Sequence, residues 1–292
     1  MKAFALFEAG WDISRAEENY QTLVKMGEGI EVPEGSESDK PYSKFMAIYA
    51  AMCRLHMKTF GTTQRQIAAV CAKNHTHSVH NPWSQFRKPF TIDEVLASPP
   101  ITYPITLPMC APLSDGAAAA ILCTEEGLKR IGADKSRCIK ISASVLRSFS
   151  PRRIDQPELH VGRLAAQQAY EIAGLGPQDM HVAEVHDASA MGEIIQAENL
   201  GLVELGMGGP AAERGEFTIG GRIPINPSGG LESKGHPIGA TGIGQLYELV
   251  TQLRGEAGAR QVEGARHAIQ ENGGGMQGVE EAAVAIHILS KS

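Results

Sequence analysis

Asn226 to Gly244 reads NPSGGLESKGHPIGATGIG, and 6 of these 19 residues are glycine. Glycine at that density lets the backbone turn through positive φ and approach a ligand or another segment closely. The run delivers one titratable side chain, His236, held between Gly235 and Pro237 just ahead of a predicted helix over 243–253 that Gly255 closes. The positive end of a helix disfavours imidazolium, so the position suits a neutral, proton-accepting histidine. Nucleotide-binding readings fail on spacing. There is no G-x-x-x-x-G-K-[ST], and Gly239, Gly242 and Gly244 are in the wrong order for G-x-G-x-x-G. The same residues also fit a purely structural turn around a packed histidine.

Two further stretches carry polar groups at element boundaries. Glu184-Val185-His186-Asp187-Ala188-Ser189 lies where a strand over 181–185 gives way to a helix over 191–200. Ligands of open α/β sheets bind at such edges, although Asp187 or Ser189 also reads as a simple helix cap. Glu271-Asn272-Gly273-Gly274-Gly275-Met276-Gln277-Gly278 precedes a terminal strand over 284–289. Its glycine amides could form an anion-holding nest, or merely a flexible turn.

Between these stretches, strands and helices alternate. A strand is expected over 139–146, and a helix over 161–173 stopped by Gly174. The strands are apolar without polar alternation, as in a sheet covered on both faces, so the fold class is α/β and layered. Ala117 to Cys123 reads as another buried strand, with Thr124 opening a helix. Residues 11–92 are polar and irregular, with helices expected over 43–59 and after Thr62 or Thr63. They read as an excursion from the sheet. Met1 to Phe7 reads as a short buried strand and lacks the length and cleavage site of a signal peptide. A domain boundary is placed near Lys135, giving 1–135 and 136–292.

Over 292 residues, 27 basic against 33 acidic side chains leave a net charge of −6, spread along the chain, which argues against a nucleic-acid surface. No apolar run is long enough to span a membrane, and a cytoplasmic protein is expected. The 5 cysteines (Cys53, Cys71, Cys110, Cys123, Cys138) contain no C-x-x-C pair and read as reduced thiols. His75, His77 and His80 form a histidine triplet with Cys71 nearby, but no fourth ligand completes a metal set. Arg147, Arg152 and Arg153 form a small basic cluster best read as a solvated loop.

Taken together, the three polar stretches resemble the C-terminal half of the thiolase superfamily. Gly235-His236-Pro237, with Asn226-Pro-Ser-Gly-Gly before it and Ile-Gly-Ala-Thr-Gly after it, carries the likeness. His186-Asp187 resembles the sterol-carrier-type branch. Lys73-Asn74-His75, Asn81 to Pro89 (NPWSQFRKP) and Ser114-Asp115-Gly116-Ala117-Ala118-Ala119 extend the likeness upstream over essentially the whole chain. The resemblance implies a thiolase-like layered αβαβα fold with an incomplete first half, and acyl-CoA chemistry of the acetyl-CoA acetyltransferase kind in lipid metabolism. CoA enters as substrate, so neither cofactor nor metal is implied. By resemblance, His236 activates a thiol and holds a thioester oxygen. His186 and the Gly273 amide line oxyanion holes, and Gly235, Ser228 and Gly229 contact substrate. A homo-oligomer, or a zinc-ribbon/OB-fold partner protein, is implied as company.

The departures are equally specific. The family's nucleophile is a cysteine in a small-residue turn at a helix N-terminus, and no such turn occurs here. Cys53 and Cys71 fall within predicted helices, where no end dipole activates a thiol. The family's second cysteine is replaced by Glu271, and the position after His-Asp is Ala188. Glu271 serves as an acid or base only if burial raises its pKa. The expectation is a chain truncated after the nucleophile's helix, with little thiolytic turnover. The alternative is a carbon–carbon lyase or acyl-CoA-binding scaffold.

Overall fold

The computed structural model describes residues 14–291, so the strand expected over Met1 to Phe7 lies outside the described residues. Helix α1 (Ala16–Lys25) packs on α2 (Lys44–Phe60) through Leu23 and Ile48. Ser43 caps α2, and Gly61 at φ 75° ends it. Helix α3 (Gln64–Ser78) starts at a capping box made by Thr63 and Gln66. Short elements follow: α4 (Ile92–Leu96), β1 (Pro100–Thr102), β2 (Ile105–Thr106) and α5 (Glu125–Ile131).

The remainder builds the sheet. In order come β3 (Ile139–Ser148), α6 (Val161–Ala173), β4 (Val182–Glu184), α7 (Ala190–Asn199), α8 (Gly208–Glu213), α9 (Gly230–Lys234), α10 (Thr241–Arg254), β5 (His267–Gly274) and β6 (Ala283–Lys291). The strand order is β3-β6-β5-β4, with β6 antiparallel to both neighbours and β4 parallel to β5. Alternate residues sort to the two faces. Ile269, Val284, Ile286 and Ile288 join the main core with α6 and α7, while Ala268 and Leu289 pack under Leu249 and Leu253 of α10. The result is helix on sheet on helix, the α/β layering expected. No helix among the described residues is long and apolar enough to cross a membrane.

Two expectations need correction. Ala117 to Cys123 is not a buried strand: the whole run is exposed, with Ile121 92% accessible. A strand is buried only when a neighbour takes its backbone hydrogen bonds and a layer covers it. Among the described residues no strand lies beside this run. Nor is the 11–92 segment an excursion. Ile67, Ala68, Val70 and Cys71 of α3 sit inside the principal core, which draws on both sides of residue 135. Ala68, Ala69 and Ala72 of α3 are buried, and Lys73, Asn74, His75 and His77 are buried on polar partners inside the protein. That kind of burial leaves no amphipathic stripe to read.

Candidate active site

β4 runs into His186 and Asp187, after which Ser189 caps α7 through the Met191 amide. The His186 amide donates to Glu271 Oε2 at 2.9 Å, tying the end of β4 to the neighbouring strand β5. From the other side the Gly235-His236-Pro237 loop brings in the second ring. The imidazoles of His186 and His236 meet edge to face, centroids 4.9 Å apart at 75°. Three segments far apart in sequence thus converge on His186, His236 and Glu271.

The His236 loop is held by the upstream motifs. The His236 amide donates to Ser114 Oγ (3.0 Å), the Ser114 hydroxyl donates to Gln85 Oε1, and the Gln85 amide donates to Lys234 O (3.0 Å). A cleft of about 400 Å³ opens along the loop just after His236, between Ser114–Ala118 and Pro237–Ala240. Gly235 makes this approach possible. Its φ is 106°, and a Cβ there would lie 2.6 Å from Ser114 Oγ. Gly235→Ala should therefore cost about 1–3 kcal/mol by chemical denaturation. An unchanged midpoint would show that the loop tolerates a side chain.

Hydrogen bonding selects the tautomer of His236. Nδ1 lies 2.7 Å from Thr241 Oγ1, whose own proton goes to Pro237 O at 3.2 Å. The hydroxyl therefore accepts from Nδ1–H, leaving Nε2 bare. Burial, then the neighbouring His186 and Lys234, push the ring down to about 3, so it is neutral at pH 7. Burial likewise lowers His186. Glu271 moves the opposite way: burial and the charge of Glu281 push it well above the carboxylate range. That is the direction required if Glu271 is to serve as an acid.

Gly273, expected in a nest, is in β5 opposite Val284 of β6. The run Glu271 to Gly274 is strand, and positive φ begins only at Gly275. A nest needs successive amides aimed at one point, and a ladder alternates them to opposite edges. Ser228 and Gly229 stand behind the site. Ser228 donates its hydroxyl to Glu184 Oε2 (2.8 Å), and a Cβ on Gly229 would lie 2.5 Å from Ser78 Cβ. His77 accepts the Ile219 amide on Nε2 (3.1 Å) and directs Nδ1 to Asn226 O (3.1 Å), while His75 Nε2 faces Pro108 O. Among the described residues no group of three metal-ligating side chains forms. Arg152 is paired with buried Glu280 at 2.7 Å, so it is structural and not part of a solvated loop.

A buried polar network missed in the sequence supports all of this. Lys73 Nζ binds Glu193 Oε1 and Ile225 O, both at 2.6 Å. Asn74 Nδ2 touches Asp187, Glu193 and Glu232, and Asn226 bonds both Glu193 Oε2 and the Val185 amide, each at 2.8 Å. The Asp187 carboxylate accepts the Leu231 amide at 2.8 Å, fixing α9. Lys73-Asn74 was visible as a motif, but its partners are 113 or more residues away.

The buried thiols Cys53, Cys71 and Cys110 are not activated, since burial raises each of them. Cys71 Sγ donates to Pro108 O (3.1 Å), and burial raises it. Burial pushes Cys110 up to about 12.

Residues 150–290 match the family described as thiolase C-terminal domain-like. Sterol carrier protein 2 of Oryctolagus cuniculus is 46% identical over 223 residues, covering 74% of this chain and 41% of that protein. Acetyl-CoA acetyltransferase of Methanothermobacter thermautotrophicus is 43% identical over 248 residues, covering 85% of this chain and 63% of that protein. The chain thus spans between two-fifths and two-thirds of the length of these relatives. In fold it is similar to the Ltp2-ChsH2(DUF35) aldolase, with TM-score 0.69 at 22% identity over 84% of this chain and 63% of that one.

Proposed function

The chain belongs to the thiolase superfamily, in its sterol-carrier-type branch, and on that premise we propose that it handles acyl-CoA thioesters through His236, His186 and Glu271. The observation that carries the reading is the pair of neutral imidazoles, edge to face at 4.9 Å, with a buried carboxyl behind them and a cleft along the adjoining Pro237–Ala240 loop. The bare Nε2 of His236 takes a proton from the carbon next to the thioester carbonyl. The bond electrons move onto the carbonyl oxygen, which faces the His186 side. A negative charge developing there raises the basicity of His236 when it is needed. Ser114 and Gln85 hold the loop, and the cleft admits the acyl group.

Because burial raises the core thiols Cys53, Cys71 and Cys110, acyl transfer through one of them should be weak. With acetoacetyl-CoA and free CoA, we expect thioester loss close to the uncatalysed rate. Robust turnover with a trapped acyl-cysteine would overturn this and identify the nucleophile.

The second reading is a carbon–carbon lyase or acyl-CoA-binding subunit that works with a zinc-ribbon/OB-fold partner. It is favoured by Ala188 and Glu271 standing where the family places cysteines. The fold likeness to the Ltp2-ChsH2(DUF35) aldolase, whose name joins two proteins, points the same way. Recovery of a stoichiometric partner chain on purification at native abundance supports it, and a chain that purifies alone with full activity does not.

A further inference from the structure

Glu281 lies on the segment leading into β6 and has no counterpart among the motif residues. Its Oε1 accepts the Gln196 amide at 3.0 Å, and its Oε2 lies 3.2 Å from His160 Nε2. His160 Nδ1 accepts the Gly162 amide (3.1 Å), so the ring proton sits on Nε2, the atom nearest Glu281. Gly273 separates this carboxylate from the catalytic candidate. A Cβ there would lie 2.9 Å from Glu281 Cγ and 3.2 Å from Glu271 Oε1. Two carboxyls flanking one glycine in a buried site do not both ionise cheaply. Glu281 has one side-chain donor, Gln196, stands 3.2 Å from the His160 ring and keeps 19% of its side chain exposed, whereas Glu271 is fully buried. Glu271 has the His186 amide on Oε2, while Oε1 is buried with no hydrogen-bond partner among the described residues.

We propose that Glu281 is a positioning residue: held as an anion beside Gln196 and His160, it keeps Glu271 in the carboxylic-acid form. The electrostatics agree: burial raises Glu281, but His160, its own backbone amide and His186 together hold it down at about 2, while Glu271 is driven up by burial and by Glu281. The other groups facing the pair are Tyr49 of α2, raised by burial and by both glutamates, His186, and Asp187 beyond it. Neither Tyr49 nor His186 carries charge at neutral pH, so Glu281 is the nearest anion that Glu271 feels.

This rests on reading the pocket as the reacting site, but its test needs no substrate. Infrared difference spectra of the full chain carrying ¹³C-labelled glutamate, with Glu271→Gln as blank, isolate the Glu271 carbonyl from the other buried acids Glu184, Glu193 and Glu232. At pH 7 a protonated-acid band should be present. In Glu281→Gln its midpoint should fall by about 1 pH unit or more, and Glu281→Asp should restore part of the shift. A midpoint unmoved in Glu281→Gln overturns the role of Glu281. If that variant does not fold, the wild-type spectrum still decides: an ionised Glu271 at pH 7 overturns the inference. Failure of the acyl-CoA reading would leave both spectra unchanged.

Discussion

Lys73→Met should lower the unfolding free energy by about 3–5 kcal/mol, the usual loss when one partner of a buried ion pair is removed. The side chains of Lys73 and Glu193 are 5% and 0% exposed, so water does not replace the missing ammonium. Asp187 and Glu232 crowd the same Asn74 amide, whose nitrogen carries two protons for three carboxylates. Without Lys73 the cluster must take up another proton or admit water, and Ile225 O also loses its donor. The double variant Lys73→Met, Glu193→Gln removes both charges and should recover most of the loss, giving a coupling well above the error of a two-state urea melt. A single variant within about 0.5 kcal/mol of the parent, the range of ordinary surface substitutions, would mean that the lysine is not what stabilises the cluster. The effect should reach the site, because this network sets the Asp187–Leu231 bond and hence the loop that carries His236.

The residues differ sharply in how much they disclosed. Local signals were reliable: Gly174 ends its helix as expected, and of Thr62 and Thr63, the two candidates for opening α3, the structure uses Thr63. The convergence of His186 and His236 was legible because each lies in a distinctive motif. β5 was not, since Gln270-Glu271-Asn272-Gly273-Gly274 are poor strand formers. Their conformation is imposed by pairing along β6 from His267 to Gly274. The opposite error occurred at Ala117 to Cys123, where an apolar run promised burial that depends on neighbours in space. Glu281 carried no local mark at all. Its importance comes from His160 and Gln196, more than 80 residues away, and from the absence of a side chain at Gly273.

His236→Ala should slow proton exchange at the carbon next to the thioester carbonyl by about 10²- to 10⁴-fold, the range for removing a positioned general base. The reaction is followed as deuterium uptake from heavy water into acetyl-CoA, which requires no thiol nucleophile. It therefore separates the imidazole's work from acyl transfer. Acyl-CoA affinity should change much less, because the ring acts on the bound substrate and the cleft walls at Ser114 and Ile238 remain. The sign of the pH dependence follows from the ring's midpoint of about 3. Above it Nε2 is bare, so the His236 contribution is level from neutral pH down to about pH 4 and is lost below. An ordinary exposed histidine would instead lose activity below its usual midpoint near 6.5. Thr241→Val adds an independent check, since it removes the acceptor that directs the ring proton to Nδ1. That variant should lose part of the exchange rate with the fold intact. If exchange persists at the parent rate in His236→Ala, the base lies elsewhere, and the geometry at Gly235-His236-Pro237 serves packing alone.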